Sequence, residues 1–202
     1  MGRVVPAGSV DWAGLFGRFE HTCFRLETRQ RYDEPGEADA FRSFLAGQEP
    51  ASYPAKEAWL AIVRAAVTAG KVMQRVHVVA EPLTDYLRFE TGWGYPLNAA
   101  AGEDIRISRA AAALPGTDYW LFDSRALARM HYDDGGRLET VELENDPAAV
   151  VQAGYWRDAA LHLAVPLRSW LAVQRPVRPR PAPVRTPAGS PRGHGDRPRR
   201  TR

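Results

Sequence analysis

RVHVVAEPLTDYLRFE, residues 75–90, opens the stretch that decides the fold, followed by AAGEDIRIS (100–108), LPGTDYWLFD (114–123) and ARMHYDDGG (128–136). Val76, Val78 and Val79 around His77 form a run apolar on both sides, as expected of a strand covered on both faces in a parallel or mixed sheet. Glu81-Pro82 turns the chain, and Leu83, Tyr86 and Leu87 mark a short helix. Ile105 and Ile107 then define a second strand after the turn at Gly102, with further strands at Tyr119–Phe122 and Ala126–Tyr132. Asp133-Asp134-Gly135-Gly136 is a hairpin signal, because glycine tolerates the positive φ angles of tight loops, and Leu138–Leu143 is the returning strand. Charged and aromatic residues gather at the ends of these runs, the pattern of an α/β unit.

Toward the N-terminus the signals are mostly helical. Trp59, Ile62, Val63, Ala66 and Val67 fall at i, i+3, i+4, i+7 and i+8, one broad stripe of a helix over 56–69 that Gly70 ends. Asp33 and Pro35 start a helix over 35–46 with Ala38, Phe41, Phe44 and Leu45 on one face and Gly47 at its end. CFRLETRQRY (23–32) alternates Phe24 and Leu26 with charged residues, which suits a half-exposed strand. Asp11 caps a short turn carrying Trp12, Leu15, Phe16 and Phe19. Toward the C-terminus, Asp146-Pro147 opens a helix running to 171, with a kink or break expected at Pro166, whose ring removes one backbone bond. The expectation is a single α/β (or α+β) domain over 11–172. Its mixed sheet of about five or six strands is packed by three main helices near 35–46, 56–69 and 147–171. A flexible segment precedes it at 1–10.

Composition sets limits. With 202 residues, 45% of them hydrophobic, the chain can bury one sizeable core. It holds no apolar run long enough to span a bilayer and no secretory signal at its start, so no membrane association is expected. Its one cysteine, Cys23, cannot form an internal disulfide, which points to a cytoplasmic address. The net charge of +3 hides an asymmetry. From Arg175 onward nine Arg stand against one Asp, which leaves the preceding residues at −5. The Pro/Arg-rich segment 173–202 has almost nothing to pack and is expected to be a disordered basic tail. Its arginines offer non-specific nucleic-acid contact at most, since it lacks the aromatic residues that stack on bases.

No catalytic, nucleotide-binding or metal-binding signature is present, so no catalytic residue, metal or cofactor is assigned. His21 and Cys23 form H-x-C, but a third ligand at a recognisable distance is missing, and a partly buried strand edge is the better reading. His77 reads as a satisfied core histidine and His131 as a cross-strand surface residue. The carboxylates offer more. Glu81 follows the strand ending at Ala80, and ligand sites in open α/β sheets gather at the carboxyl ends of strands. If neighbouring strands bring Glu81, Arg88, Asp104 and Arg106 together, they form one polar site, or else an ionic network along the sheet edge. Trp93 and Tyr95 lie in TGWGYPLNAAAG (91–102), where two glycines suggest a mobile loop carrying a lid.

The ordered phrases FEHTCFRLETRQRYDEP (19–35), RVHVVAEPLTDYLRFE, NAAAGEDIRIS (98–108), DYWLFDSR (118–125), MHYDDGG (130–136) and YWRDAALHLAVPLRSWL (155–171) resemble an actinobacterial family known as domain of unknown function 6879, over roughly Val10 to Leu171. The resemblance implies a small cytoplasmic protein with no established activity, encoded beside helix-turn-helix regulators. It supplies no catalytic residues. A looser similarity, from the order of elements over Val76–Ala172, is to a degenerate phospholipase D-like domain. That superfamily's H-x-K signature is missing, because His77 is followed by Val78-Val79 and His131 by Tyr132-Asp133. The reading that follows is a non-catalytic regulatory or interaction module partnering a helix-turn-helix DNA-binding protein. The alternative is a small-molecule sensor or enzyme using the polar pocket at the strand ends.

Overall fold

The computed structural model describes residues 2–34 and 36–174. The segment read as a basic tail lies, from residue 175 on, outside the described residues. Among those described, the chain builds one eight-stranded mixed sheet with helices on both faces. The strands are β1 (Arg3–Pro6), β2 (Thr22–Glu27), β3 (Val72–Val78), β4 (Asp104–Ser108), β5 (Asp118–Phe122), β6 (Ala126–Tyr132), β7 (Leu138–Glu144) and β8 (Val165–Pro166). They lie in the order β1-β7-β6-β5-β2-β3-β4-β8. β2, β3 and β4 are parallel neighbours, and β5, β6 and β7 form an antiparallel meander joined to β2 through β5.

The sheet is larger than the five or six strands expected. Both additions are edges: β1 comes from the N-terminal stretch expected to be flexible and pairs with β7, while the two-residue β8 pairs with β4. Neither carries an apolar period. Backbone pairing to an existing edge, rather than burial, defines each of them.

The helices are α1 (Trp12–Arg18), α2 (Ala38–Leu45), α3 (Pro54–Thr68), α4 (Asp85–Phe89), α5 (Tyr95–Ala101), α6 (Pro147–Leu163) and α7 (Leu167–Gln174). α3 follows its sequence signals closely. Pro54 occupies the first turn, and Gly70 takes φ +76° just past the end, where the amide of Lys71 reaches back to the carbonyl of Ala66. α2 begins at Ala38, later than expected: the Asp33 carboxylate accepts from Arg137 across the structure instead of capping a helix. The long C-terminal helix breaks where proline demands. α6 ends at Leu163, Pro166 sits in β8, and α7 restarts at Leu167 and reaches Gln174, taking in the first two residues of the expected tail.

The two faces of the sheet differ. One packs Phe24, Leu26, Val76, Val78, Leu121 and Leu127 against Val150, Ala153 and Ala160 of α6. The other carries α1, α3 and α5. At its amino-terminal end Cys23, Met73 and Phe122 pack against Leu60, Val63 and Ala66 of α3, with Phe16 of α1 edge-on to Trp59, Trp120 and Phe122. At the β4 edge Ile105 and Ile107 meet Leu87, Leu167 and Trp170. Between these two apolar clusters the second face is polar.

Candidate functional site

Adjacent strands place Arg25 beside Arg75 and Glu27 beside His77 on the parallel pair, and Arg25 beside Trp120 on the antiparallel one. Alternation sends all of them to the face opposite α6. Arg25, Glu27, Arg75, His77, Glu103 and Asp118 are each less than a tenth exposed. Burying two guanidinium groups side by side costs several kcal/mol per ion unless each is paired and hydrogen-bonded. Here every charge has partners. Arg75 donates to Glu27 Oε1 (2.6 Å) and Glu103 Oε1 (2.8 Å). Arg25 donates to Glu27 Oε1 (3.4 Å), Asp118 Oδ2 (3.1 Å), the Tyr132 hydroxyl (2.8 Å) and the Met130 sulfur. Asp118 also accepts from the Tyr32 hydroxyl (2.6 Å) and from the amide and hydroxyl of Thr28 (both 2.8 Å). Burial opposes ionisation of Glu27, but Arg75 and Arg25 outweigh it and hold the carboxyl well below its usual range.

His77 stands at the end of this network with no exposed surface. Its Nε2 donates to the Arg29 carbonyl (2.8 Å), while Nδ1 lies 2.5 Å from the Tyr95 hydroxyl, which is itself 2.7 Å from Glu27 Oε2. Burial pushes the imidazole below its usual value despite Glu27 nearby. A neutral ring leaves one tyrosine proton between two acceptors, so His77 and Glu27 share it through Tyr95. This confirms a satisfied core histidine.

Over the charged strand residues sits a cavity of about 540 Å³. α3 supplies its roof at helical spacing: Ala55, Ala58, Trp59 and Ile62 face it, the two alanines leaving room that larger side chains would fill. The segment before α2 contributes Glu37, which accepts from the hydroxyls of Tyr86 (2.6 Å) and Tyr53 (3.0 Å). Lys56 donates to Asn98 Oδ1 (3.3 Å), and Asn98 donates to Glu103 (2.9 Å). Tyr32, Tyr53, Tyr86, Trp120 and Tyr132 supply aromatic walls.

Glu90 is different from the other lining groups. It opens a π-turn, Glu90–Gly94, inserted between α4 and α5, a local widening that occurs often at functional sites. It is 7% exposed and lines the cavity, yet its carboxylate has no hydrogen-bond partner among the described residues. Gly94 makes room for it: a Cβ there would lie 2.9 Å from Oε1. Burial, only partly offset by Lys56 and reinforced by Glu37, pushes its acid up to about 8.

The residues expected to form the site are dispersed. Glu81, after the β3 strand end, pairs with Arg109 (2.6 Å), and Arg88 pairs with Asp85 (3.1 Å); both line a separate surface groove with Trp170. Asp104 and Arg106 pair with each other (3.0 Å). Asp104 lies beside Gln74 near the amino end of β3, whereas Glu81 lies beyond its carboxyl end, about 20 Å along at strand rise. Alternation also puts Arg106, beside Val76, on the α6 face. Tyr95 belongs to the real network but as a buried member, 2% exposed, and Trp93 stacks between Phe89 and Tyr53. The expected Gly-rich loop is helical from Thr91 to Ala101 and ends at Gly102 with φ +110°, so the lid is absent as a loop. Cys23 is buried, which raises its thiol well above the usual value and leaves it unreactive. Among the described residues no three His, Cys, Asp or Glu side chains are grouped as a metal would require, and no helix is long and apolar enough to cross a membrane.

The fold and site therefore define a mixed α/β domain with an aromatic-walled cavity over a buried ionic network. The chain belongs to the family described as Domain of unknown function (DUF6879), whose model matches residues 10–172. No curated protein matches the sequence. Among solved structures it is similar to Nuc, a phospholipase D family member from Salmonella typhimurium, with 10% identity, a TM-score of 0.49, and 82% of this chain and 97% of that one covered. NucT from Helicobacter pylori gives 8% identity and a TM-score of 0.48, covering 82% of this chain and 98% of that one. TrmBL2, an archaeal chromatin protein, gives 10% identity and 0.48 over 82% of this chain and 54% of that one. The looser likeness to phospholipase D-like domains thus reappears, at values that carry no argument about activity.

Proposed function

We propose that this protein is a small-molecule-binding module, a sensor rather than a catalyst. The observation that carries the reading is the cavity of about 540 Å³, within the range of ligand pockets and walled by aromatics with convergent polar groups. Among the described residues its lining contains no Ser, Thr, Cys or His, and both His77 and Cys23 are sealed beneath the surface, so the serine-, cysteine- and histidine-type nucleophiles are not offered to a ligand there. A binding module acts through a partner, and the family resemblance points to a helix-turn-helix regulator; co-purification from native cells at moderate salt tests that association, and no retained partner counts against it.

The binding reading is tested by thermal unfolding in a chemically mixed compound library, because a ligand of the native state alone raises the melting temperature by mass action. Hits are expected, and they should disappear in Ala58→Trp, which fills the cavity roof. A library without a single pocket-dependent hit would overturn the reading.

A further inference from the structure

We infer that the cavity takes an organic cation, an amine or guanidinium carried on an apolar or aromatic body, with Glu90 as its counter-ion. This deepens the binding reading and rests on it. Arg25, Arg75 and Lys56 line the cavity together with Glu27, Glu34, Glu37 and Glu90, while Glu103 and Asp118 stand directly behind, bonded to Arg75 and Arg25. Carboxylates outnumber cations. Both guanidinium groups are also engaged already, by Glu27 with Glu103 and by Glu27 with Asp118. An anion such as a phosphate would meet no unengaged arginine and a surplus of like charge.

Among the described buried carboxylates that line the cavity, Glu27, Glu37 and Glu90, Glu90 is the one with no hydrogen-bonded side-chain partner. The residue is more than nine-tenths buried and lines the cavity, and its carboxylate has neither a hydrogen bond nor an ion pair among the described residues. The carboxylate oxygens open onto the cavity and are not sealed away from water, since the sealed side-chain atoms lacking a partner among the described residues are Arg29 Nε and Trp170 Nε1; a bound ammonium would replace that water with a charge-assisted hydrogen bond. The walls fit the same occupant, since the faces of Tyr53, Tyr86 and Tyr132 attract cations electrostatically and the protein's own cations already lie over rings here: Arg25 is 5.3 Å from the Trp120 centroid and Lys56 5.7 Å from that of Trp93. A metal ion fits poorly, as no three-carboxylate or histidine cluster is present among the described residues.

The groups facing Glu90 are Lys56 from α3, Glu37 from the segment before α2, Glu27 and Arg75 from the sheet, and the phenols of Tyr53, Tyr86 and Tyr95. With its acid pushed up to about 8, Glu90 is largely protonated near pH 6, so the cation must displace a proton to bind.

The experiment is calorimetric titration of the full chain with phenethylammonium, its neutral isostere 2-phenylethanol, and the anion 3-phenylpropanoate, at pH 6 and pH 8, on wild type and Glu90→Gln. The cation is expected to bind at least tenfold more tightly than either comparator. Its affinity should rise at least tenfold from pH 6 to pH 8 with release of a proton, and Glu90→Gln should abolish both the preference and the pH dependence. The pH series on wild type needs no variant to fold. Equal or tighter binding of the alcohol or the anion, or an affinity unchanged in Glu90→Gln, overturns the cation assignment while leaving a binding pocket in place. So does silence from all three when neutral or anionic compounds register in the broader library. Silence from every compound of any charge removes the pocket reading itself.

Discussion

The two faces of this sheet are built from the same strands and solve burial in opposite ways. Toward α6, Phe24, Leu26, Val76 and Leu121 alternate inward and pack dry. One residue along each strand, Arg25, Glu27 and Arg75 alternate toward α3 and are just as buried, held by one another. The apolar face is stabilised by area removed from water, roughly 25 cal/mol per Å². The polar face gains little net stability from its ion pairs, because desolvation offsets most of the attraction. What it gains is geometry: rigid charges beneath a cavity. One face holds the fold together, and the other shapes the candidate cavity.

The contrast can be broken directly at the network. Arg75→Ala leaves Glu27 and Glu103 facing each other without their shared cation, and a loss of about 3–5 kcal/mol in urea unfolding is expected. Retention of wild-type stability would mean the carboxylates protonate or find other donors. On the opposite face, Leu26→Ala should cost about 3 kcal/mol through a cavity, with little change in salt dependence and none in ligand preference.

Glu90 sharpens the comparison through pH. Its native acid lies above the ordinary value of 4.5, so the native state binds the extra proton between 4.5 and about 8. The stability this lends is full below pH 4.5 and drains away as pH rises through 8, an effect on the order of 5 kcal/mol for a displacement from 4.5 to about 8. Unfolding midpoints measured from pH 5 to 9 should fall in wild type relative to Glu90→Gln; parallel curves would place Glu90 in water. The smallest effect is expected at Arg88→Ala, below 0.5 kcal/mol and without influence on binding, since its partner Asp85 is exposed on the same helix. A large loss of ligand affinity there would return the site to the surface groove.

Much of the scaffold was legible. The apolar run at Val76–Val79, the stripe and glycine stop of α3, the hairpin glycines and the break at Pro166 each follow from local rules, and each appears in place. The site was less legible. CFRLETR has the alternation of a half-exposed strand, and nothing within it shows that Arg25 and Glu27 are covered. Glu27 finds Arg75 48 residues away and Arg25 finds Asp118 93 residues away, while Arg75 reaches Glu103 28 residues further on. The carboxylates at strand ends were the right residue type in the wrong register: Asp104 begins its strand and Glu81 follows one, so parallel pairing separates them. Of the six candidates, Tyr95 alone joins the network, and as a positioning group for His77 and Glu27 rather than as a lid.

Sequence by itself determined the class of fold, the main helices, six of the strands and the lack of a familiar catalytic signature, because backbone period and turn chemistry act over a few residues. Tertiary structure alone decided which charged residues are buried, that Glu90 faces a cavity unpartnered, and that the second face of the sheet is polar. Those properties depend on strand order and register, which set distances between residues far apart in the chain and leave no local trace.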